Sequence, residues 1–362
     1  MAASCHTSKD KMLKKKLITD SLESKLNLNN INYSIDIVDN SYIFFGYDNS
    51  IITFNHENEY YLIYSNGHSI ITYNLNDCKK MCEIRDAHDC YITNFRYYYD
   101  SNNKRDLILS MSDADENNFK LWNFFTMECL LDVSNIYKEG HLTSACILNY
   151  NNELYIIVSN QSFNLVNNPL LVFDLKGNKI KKIKNSNDDT SVVDVFYDNN
   201  SNKNYILTGN YGSVKSYDFE KDELYHTYIN NDNKKDSYSS IIILPSKKII
   251  KIISSSQNGY ILIWEFHSGN LIKKIYIYNT EFYGICLWNE QYLFAGSKNG
   301  DIKLIDLVNE KELKSFLKHS KSVLTLRKII HPKYGECLLS ISEDEKIKLW
   351  FENNNDKNIN FE

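Results

Sequence analysis

Three groups of side chains in this sequence have types and spacing that could do chemistry. Cys78, Cys82, His88 and Cys90 lie close together, and thiolates with an imidazole at such gaps can hold zinc tetrahedrally. No Cys-x-x-Cys pair occurs anywhere to support that site, so Cys78 and Cys82 read instead as small hydrophobes in a turn and a strand. Asp113, Asp115 and Glu116 beside Asn117 and Asn118 gather oxygen ligands suited to calcium. The ligand order of an EF-hand loop is absent, and a solvated acidic turn is the simpler reading. Near the end of the chain, His319, Ser340, Ser342 and Asp344 supply the residue types of a nucleophilic triad. No Gly-rich phosphate loop, Gly-x-Ser-x-Gly elbow or His-Glu-x-x-His helix is present. The expectation is no catalytic residue, no metal and no cofactor.

Composition narrows the class. The chain has 362 residues, 43% of them hydrophobic and 24% charged, with a net charge of −5. That apolar fraction can build a sizeable core, and the acidic balance argues against a nucleic-acid partner. The one dense basic run, Lys11 to Lys16, reads as a solvated segment. The 8 cysteines are scattered rather than arranged as a disulfide framework. Residues 1–30 carry no apolar run of the kind a secretory signal needs. Clusters such as Ile241–Leu244 fall far short of the roughly 20 residues that span a membrane. A soluble cytoplasmic protein without membrane insertion is expected, with a nuclear location left open. At about 150 residues per domain, length alone suggests two or three domains.

The chain is organised by a repeat. Seven segments share an alternating apolar pattern, often ending in an acid or Asn: IITYN (70–74), FKLWN (119–123), LLVFD (170–174), VKSYD (214–218), ILIWE (261–265), IKLID (302–306) and IKLWF (347–351). Their starts lie 41 to 51 residues apart, a period that marks a four-strand repeat. Each is preceded by an apolar run ending in small residues, such as YILTGN (205–210) or YLFAGS (292–297). Asn-Gly at 66–67, 258–259 and 299–300 predicts a tight hairpin between these two strands, because both residues can adopt positive φ. A further strand precedes each hairpin, for example SVVDVF (191–196), and another follows it, for example ELYHTY (223–228). Period-2 alternation with β-branched and aromatic residues holds throughout. Helical spacing occurs only over about residues 8–28, with Leu13, Leu17, Leu22 and Leu26.

This pattern resembles the WD-repeat family, in which His precedes the inner strand, Ser lies on the second strand, Asp in the following turn and Trp-Asp ends the third. Ala87-His88, Gly140-His141 and Lys318-His319 match the His position, and Trp122, Trp264 and Trp350 match the Trp position. The last repeat is the fullest, with His319, Ser340 or Ser342, Asp344 and Trp350. The resemblance implies that these side chains, with His88, Trp122, His141 and Trp264, form buried hydrogen-bond networks tying the strands of a blade together. The same comparison makes the Ser/His/Asp set of the last repeat structural rather than catalytic. Four repeats lack the His, and Tyr73, Phe173, Tyr217 and Ile305 stand where Trp would.

The resemblance implies an all-β fold, a seven-bladed β-propeller of four-stranded antiparallel blades over residues 33–351. Residues 1–32 would form a flexible or partly helical leader, and 352–362 a disordered tail. No strand pattern follows Trp350, so the last blade must borrow its outer strand. YSIDIV (33–38) and SYIFFGY (41–47) are the candidates, with Ser41–Tyr47 favoured, and such a clasp would close the ring.

What remains is a binding surface. The family resemblance implies a face made of the turns before the inner strands and those between second and third strands. It would present Tyr91, Tyr238, Glu281, Phe282 and Tyr283, with Tyr211, Gln257, Asn258, Lys298, Asn299 and Glu343. Aromatics at such positions suit the core of a protein interface. The Arg-Arg pair of phosphoinositide-binding propellers is missing. The expected role is a non-catalytic scaffold for other proteins, a monomeric ring within a larger complex. One alternative is a substrate-receptor or adaptor subunit of a ubiquitin ligase, docking through residues 8–28. Another is a propeller hydrolase using a channel acid such as Asp194.

Overall fold

The structure, a computed structural model, describes residues 31–38, 51–77, 79–112, 118–137, 141–161, 169–183, 189–232, 236–245, 248–277, 280–317 and 319–352. They form seven four-stranded antiparallel sheets. Six are built from consecutive strands and occupy 51–84, 92–133, 141–183, 190–228, 238–276 and 282–317, numbered here as blades 1 to 6. Blade 7 joins Val323–His331, Gly335–Ser342 and Ile347–Glu352 to Ile31–Val38. The seven repeated segments are the third strands of the seven blades.

Strand alternation explains why the sheets assemble into a ring. Successive residues of a strand point to opposite faces, so the middle strands of each blade serve two neighbours. Ile206 packs with Cys146, Ile157 and Val172 of blade 3. Its neighbour Leu207 packs with Ile241, Ile252 and Trp264 of blade 5. Each pair of adjacent blades has such a cluster, and the one that closes the circle brings Ile51, Leu62 and Ile71 of blade 1 against Ile329, Leu339, Ile347 and Leu349 of blade 7. Burying one such side chain is worth about 1.5–3 kcal/mol. Each interface therefore gains on the order of tens of kcal/mol from burial, most of it offset by the conformational entropy of ordering the chain. The two- or three-domain expectation gives way to one ring of packed sheets.

The turns differ from expectation in one respect. At 258–259 and 299–300 only the glycine is left-handed, with Gly259 at φ 82° and Gly300 at φ 87°. The N–H of each glycine bonds back to Ser256 O or Ser297 O, so these are turns with a left-handed closing residue. Paired left-handed residues occur instead between inner and second strands, at Glu57 and Asn58 (φ 51° and 68°) and at Asn151 and Asn152 (φ 53° and 64°). Asn tolerates this region through local hydrogen bonding, which is how a chain with 12 Gly makes so many turns.

The outer strand of blade 7 is Ile31–Val38, antiparallel to Ile347–Glu352 with Ser34 opposite Trp350 and Ile35 opposite Leu349. The expectation of an N-terminal clasp holds, but the clasp is not the favoured segment. Ser41–Tyr47 lies outside the described residues, as do residues 8–28 and everything beyond Glu352.

Candidate functional site

Two buried hydrogen-bond networks, in blades 7 and 2, tie strands together. In blade 7, Trp350 Nε1 donates to Ser340 Oγ at 2.7 Å, and Ser340 Oγ lies 2.7 Å from His319 Nε2. His319 Nδ1 is 3.0 Å from both Asp344 oxygens. A consistent proton arrangement has Nδ1–H donating to the carboxylate and Nε2 accepting from the serine. Blade 2 repeats the set with Asn118 for the acid: His88 Nδ1 lies 2.7 Å from Asn118 Oδ1, His88 Nε2 lies 2.7 Å from Ser110 Oγ, and Trp122 Nε1 donates to Ser110 Oγ at 2.8 Å. Ser340 is wholly buried, and its one oxygen is shared between the histidine and the indole. Ser342 plays a separate part, accepting from Asp344 N and donating to Lys321 O.

Two expected members do not join. His141 is exposed at the start of the strand His141–Tyr150. The Ser and Trp positions of blade 3 hold Val158 and Phe173, both in the apolar cluster with blade 2, so there is no polar centre for a histidine to meet. Trp264 is fully buried but its Nε1 has no hydrogen-bond partner. It packs beside Tyr228 and Tyr238 at centroid distances of 6.0 and 5.9 Å.

His88 makes the blade 2 network sensitive to acid. Burial pushes its imidazole down from 6.5 to about 4, against the Asn118 contact, which favours the proton. Between those values an unfolded chain binds the proton and the folded chain does not, so stability falls as pH drops through that window. The shift corresponds to about 3 kcal/mol. Denaturation midpoints from pH 7 down to about 4 should therefore decline in the natural chain and much less in His88→Gln; parallel curves would contradict the assignment. Asp344 adds a separate loss at lower pH. Burial opposes its charge, but Ser320 N–H and His319 hold its carboxyl below the ordinary range.

A column of residues with no role assigned from sequence closes the next turn of the repeat. The acid or amide ending the third strand of blades 1 to 6 accepts backbone N–H groups just beyond it. Asp174 accepts Lys176 N and Asn178 N, Asp218 accepts Glu220 N and Lys221 N, and Asp306 accepts Val308 N and Asn309 N. Although burial disfavours its charge, the Asn309 contacts and their neighbours hold Asp306 at about 2. The signal was legible as the acid or Asn that ends six of the seven segments.

Backbone bonds knit to one another the two sets of turns that were expected to form a face. Ile92 N bonds Gly67 O, Tyr211 N bonds Asp189 O, Gln257 N bonds Ser237 O, Lys298 N bonds Glu281 O, and Glu343 N bonds Ser322 O. On it Tyr91 is 40% and Tyr211 52% exposed. Asn258, Lys298 and Asn299 are exposed, while Gln257, Glu281, Tyr283 and Glu343 are half-buried. Lys298 bridges Glu281 at 3.0 Å, and both line a shallow groove with Gln257, Asn258, Tyr276 and Asn299. Tyr238 and Phe282 do not belong to this surface. Both are fully buried, because each opens an inner strand at the position of Ile92 and Val323 and turns into an inter-blade core.

Of the other chemical candidates, those that the structure describes make local contacts. Both ring nitrogens of His88 are engaged, so the imidazole cannot join Cys82 and Cys90 on a metal; Cys78 lies outside the described residues, as do Asp113, Asp115, Glu116 and Asn117. Asn118 serves the blade 2 network. Asp194 accepts Val195 N at 2.8 Å, and Arg96 of blade 2 donates to the neighbouring Val193 O at 3.1 Å.

The fold is shared with solved structures. A chain of the crystal structure of BBS1N in complex with ARL6DN, soaked with lead, matches with a TM-score of 0.65 and 11% identity, over 90% of this chain and 97% of that one. At that identity the likeness is one of fold. This chain is an all-β, seven-bladed propeller. No protein-family model matches its sequence, and no curated protein matches it.

Proposed function

We propose that this propeller is a non-catalytic platform for protein–protein interaction, a divergent WD-repeat ring that works within a multiprotein assembly. The observation that carries the reading is the turn face, where Tyr91 and Tyr211 stand 40% and 52% exposed on backbone held rigid by cross-turn hydrogen bonds. Tyrosine on a preformed surface offers contact area at low entropic cost. WD-repeat identity is supported by the His-Ser-Trp networks of blades 2 and 7. A structural role for the Ser/His/Asp set is supported by the complete burial of Ser340, beneath the reach of a substrate. The BBS1N propeller, similar in fold, was crystallised in complex with another protein, ARL6DN, which fits a platform role here.

The test is affinity purification from native extract with the natural chain and with Tyr91→Ala/Tyr211→Ala. Loss of an interface anchor costs about 2 kcal/mol or more, so specific partners should fall by about tenfold or more at equal bait. Because both side chains are exposed, the variant should melt like the natural chain. Undiminished recovery of every partner would remove this face as the binding site.

A further inference from the structure

The strand ends opposite the turn face carry a second exposed surface, at the seam of blades 1 and 2. Tyr99 is 44% and Phe125 50% exposed. The His56 imidazole lies 6.4 Å from the first ring and 5.0 Å from the second, centroid to centroid. Phe125 in turn packs on Phe124 at 4.9 Å and lies 6.1 Å from Tyr61, both of which are buried. The imidazole is held in place: its Nδ1 is 3.0 Å from Asp106 Oδ2, and the buried Asp106 also accepts Tyr97 Oη at 2.6 Å. Nothing in the repeat calls for an aromatic ring at Phe125. It stands two residues past Asn123, which ends a third strand, and that position holds Asn76, Lys176, Glu220 and His267 in blades 1, 3, 4 and 5 and Val308 in blade 6.

We propose that this patch docks a basic segment of a partner protein, with a lysine or arginine side chain lying over the exposed rings of Tyr99 and Phe125. Charge complementarity selects the occupant. The charged groups that act on neighbouring Tyr61 are Glu59, Asp106 and Glu57, all carboxylates, and the Glu57 side chain is almost fully exposed. The adjoining seam, between blades 2 and 3, opens as a hollow lined by Asp100, Glu153, Asp174 and Lys176, and Asp100 is the residue after Tyr99. The hairpin beyond it brings Lys104 and Arg105, and Arg105 pairs with Asp100 at 3.0 Å. Aromatic faces attract cations through the ring quadrupole, and this chain uses that contact elsewhere: Lys181 lies over Phe219, Lys274 over Tyr260 and Lys328 over Trp288, 4.5 to 4.7 Å from the centroids. Among the described residues no lysine covers Tyr99 or Phe125. An acidic rim steers a cation toward these rings and rejects an acidic partner.

Fluorescence anisotropy with the full chain tests this, using a labelled Gly-Ser peptide interspersed with arginine and matched peptides with glutamate or glutamine in its place. The arginine peptide should bind in preference to the other two, with an affinity that falls as salt rises. Phe125→Asn/Tyr99→Thr changes exposed side chains and should melt like the natural chain, yet weaken the arginine peptide by about tenfold. Tyr91→Ala/Tyr211→Ala, at the other end of the strands, should bind the peptide as the natural chain does, so this proposal and the turn-face reading fail separately. No binding of the arginine peptide, or equal affinity in the natural chain and Phe125→Asn/Tyr99→Thr, would overturn the proposal. Equally tight binding of the glutamine peptide would overturn it too, as would self-association of the natural chain that Phe125→Asn abolishes, which would assign the patch to a second copy.

Discussion

Removal of residues 1–38 should lower the melting temperature by about 10 °C or more, or leave the chain insoluble. The deletion takes away the outer strand of blade 7, whose register runs from Ile31 opposite Glu352 to Val38 opposite Ile347. Each ladder hydrogen bond is worth about 0.5–1.5 kcal/mol net, so the pairing alone contributes several kcal/mol. The larger consequence is topological. Blade 7 contributes Ile329, Leu339, Ile347 and Leu349 to the cluster that closes the circle onto blade 1, and a three-stranded blade 7 holds that cluster less firmly. Ile347–Glu352 would also become a bare apolar edge open to pairing with another chain. Differential scanning calorimetry and light scattering read both effects. A truncated chain that melts like the natural one, without association, would show that the clasp is ornamental.

Ser340→Ala is the point substitution with the largest expected cost. A single oxygen stands between Trp350 Nε1 and His319 Nε2, at 2.7 Å from each, in a residue with no exposed surface. Removing it leaves two buried nitrogens unpaired, at about 1–3 kcal/mol each, or about 4 kcal/mol together. Ser254→Ala in blade 5 is the internal control. Its hydroxyl has no protein partner to orphan, so the loss should stay near 1 kcal/mol. Urea midpoints for the two variants give the comparison. Equal destabilisation would mean that the blade 7 network stabilises no more than a single buried hydroxyl does.

The architecture was legible because its signal is repeated. Any one of the third strands, such as Val214–Asp218, is an unremarkable run of five residues; seven at a near-constant period leave one arrangement. What could not be read was long-range choice. YSIDIV and SYIFFGY have equally good strand composition, and which of them meets Ile347–Glu352 depends on the register and reach of a closed ring. Two residues expected on the turn face, Tyr238 and Phe282, belong to the core instead. Tyr238 and Phe282 begin inner strands, where one step along the chain reverses the direction of a side chain. Aligning the repeats in register places them with Ile92 and Val323, both core residues, and that alignment was the missing signal. His141 failed for a different reason: a Gly-His dipeptide makes a network only where Ser and Trp stand opposite, and blade 3 has Val158 and Phe173 there.

Hydrogen–deuterium exchange on the full chain reads whether the ring is sealed by its own N-terminal strand. If Ile31–Val38 is the fourth strand of blade 7, its bonded amides should exchange with protection comparable to those of Ile347–Glu352. Complete exchange of Ile31–Val38 at the earliest time point, with Ile347–Glu352 still protected, would contradict it.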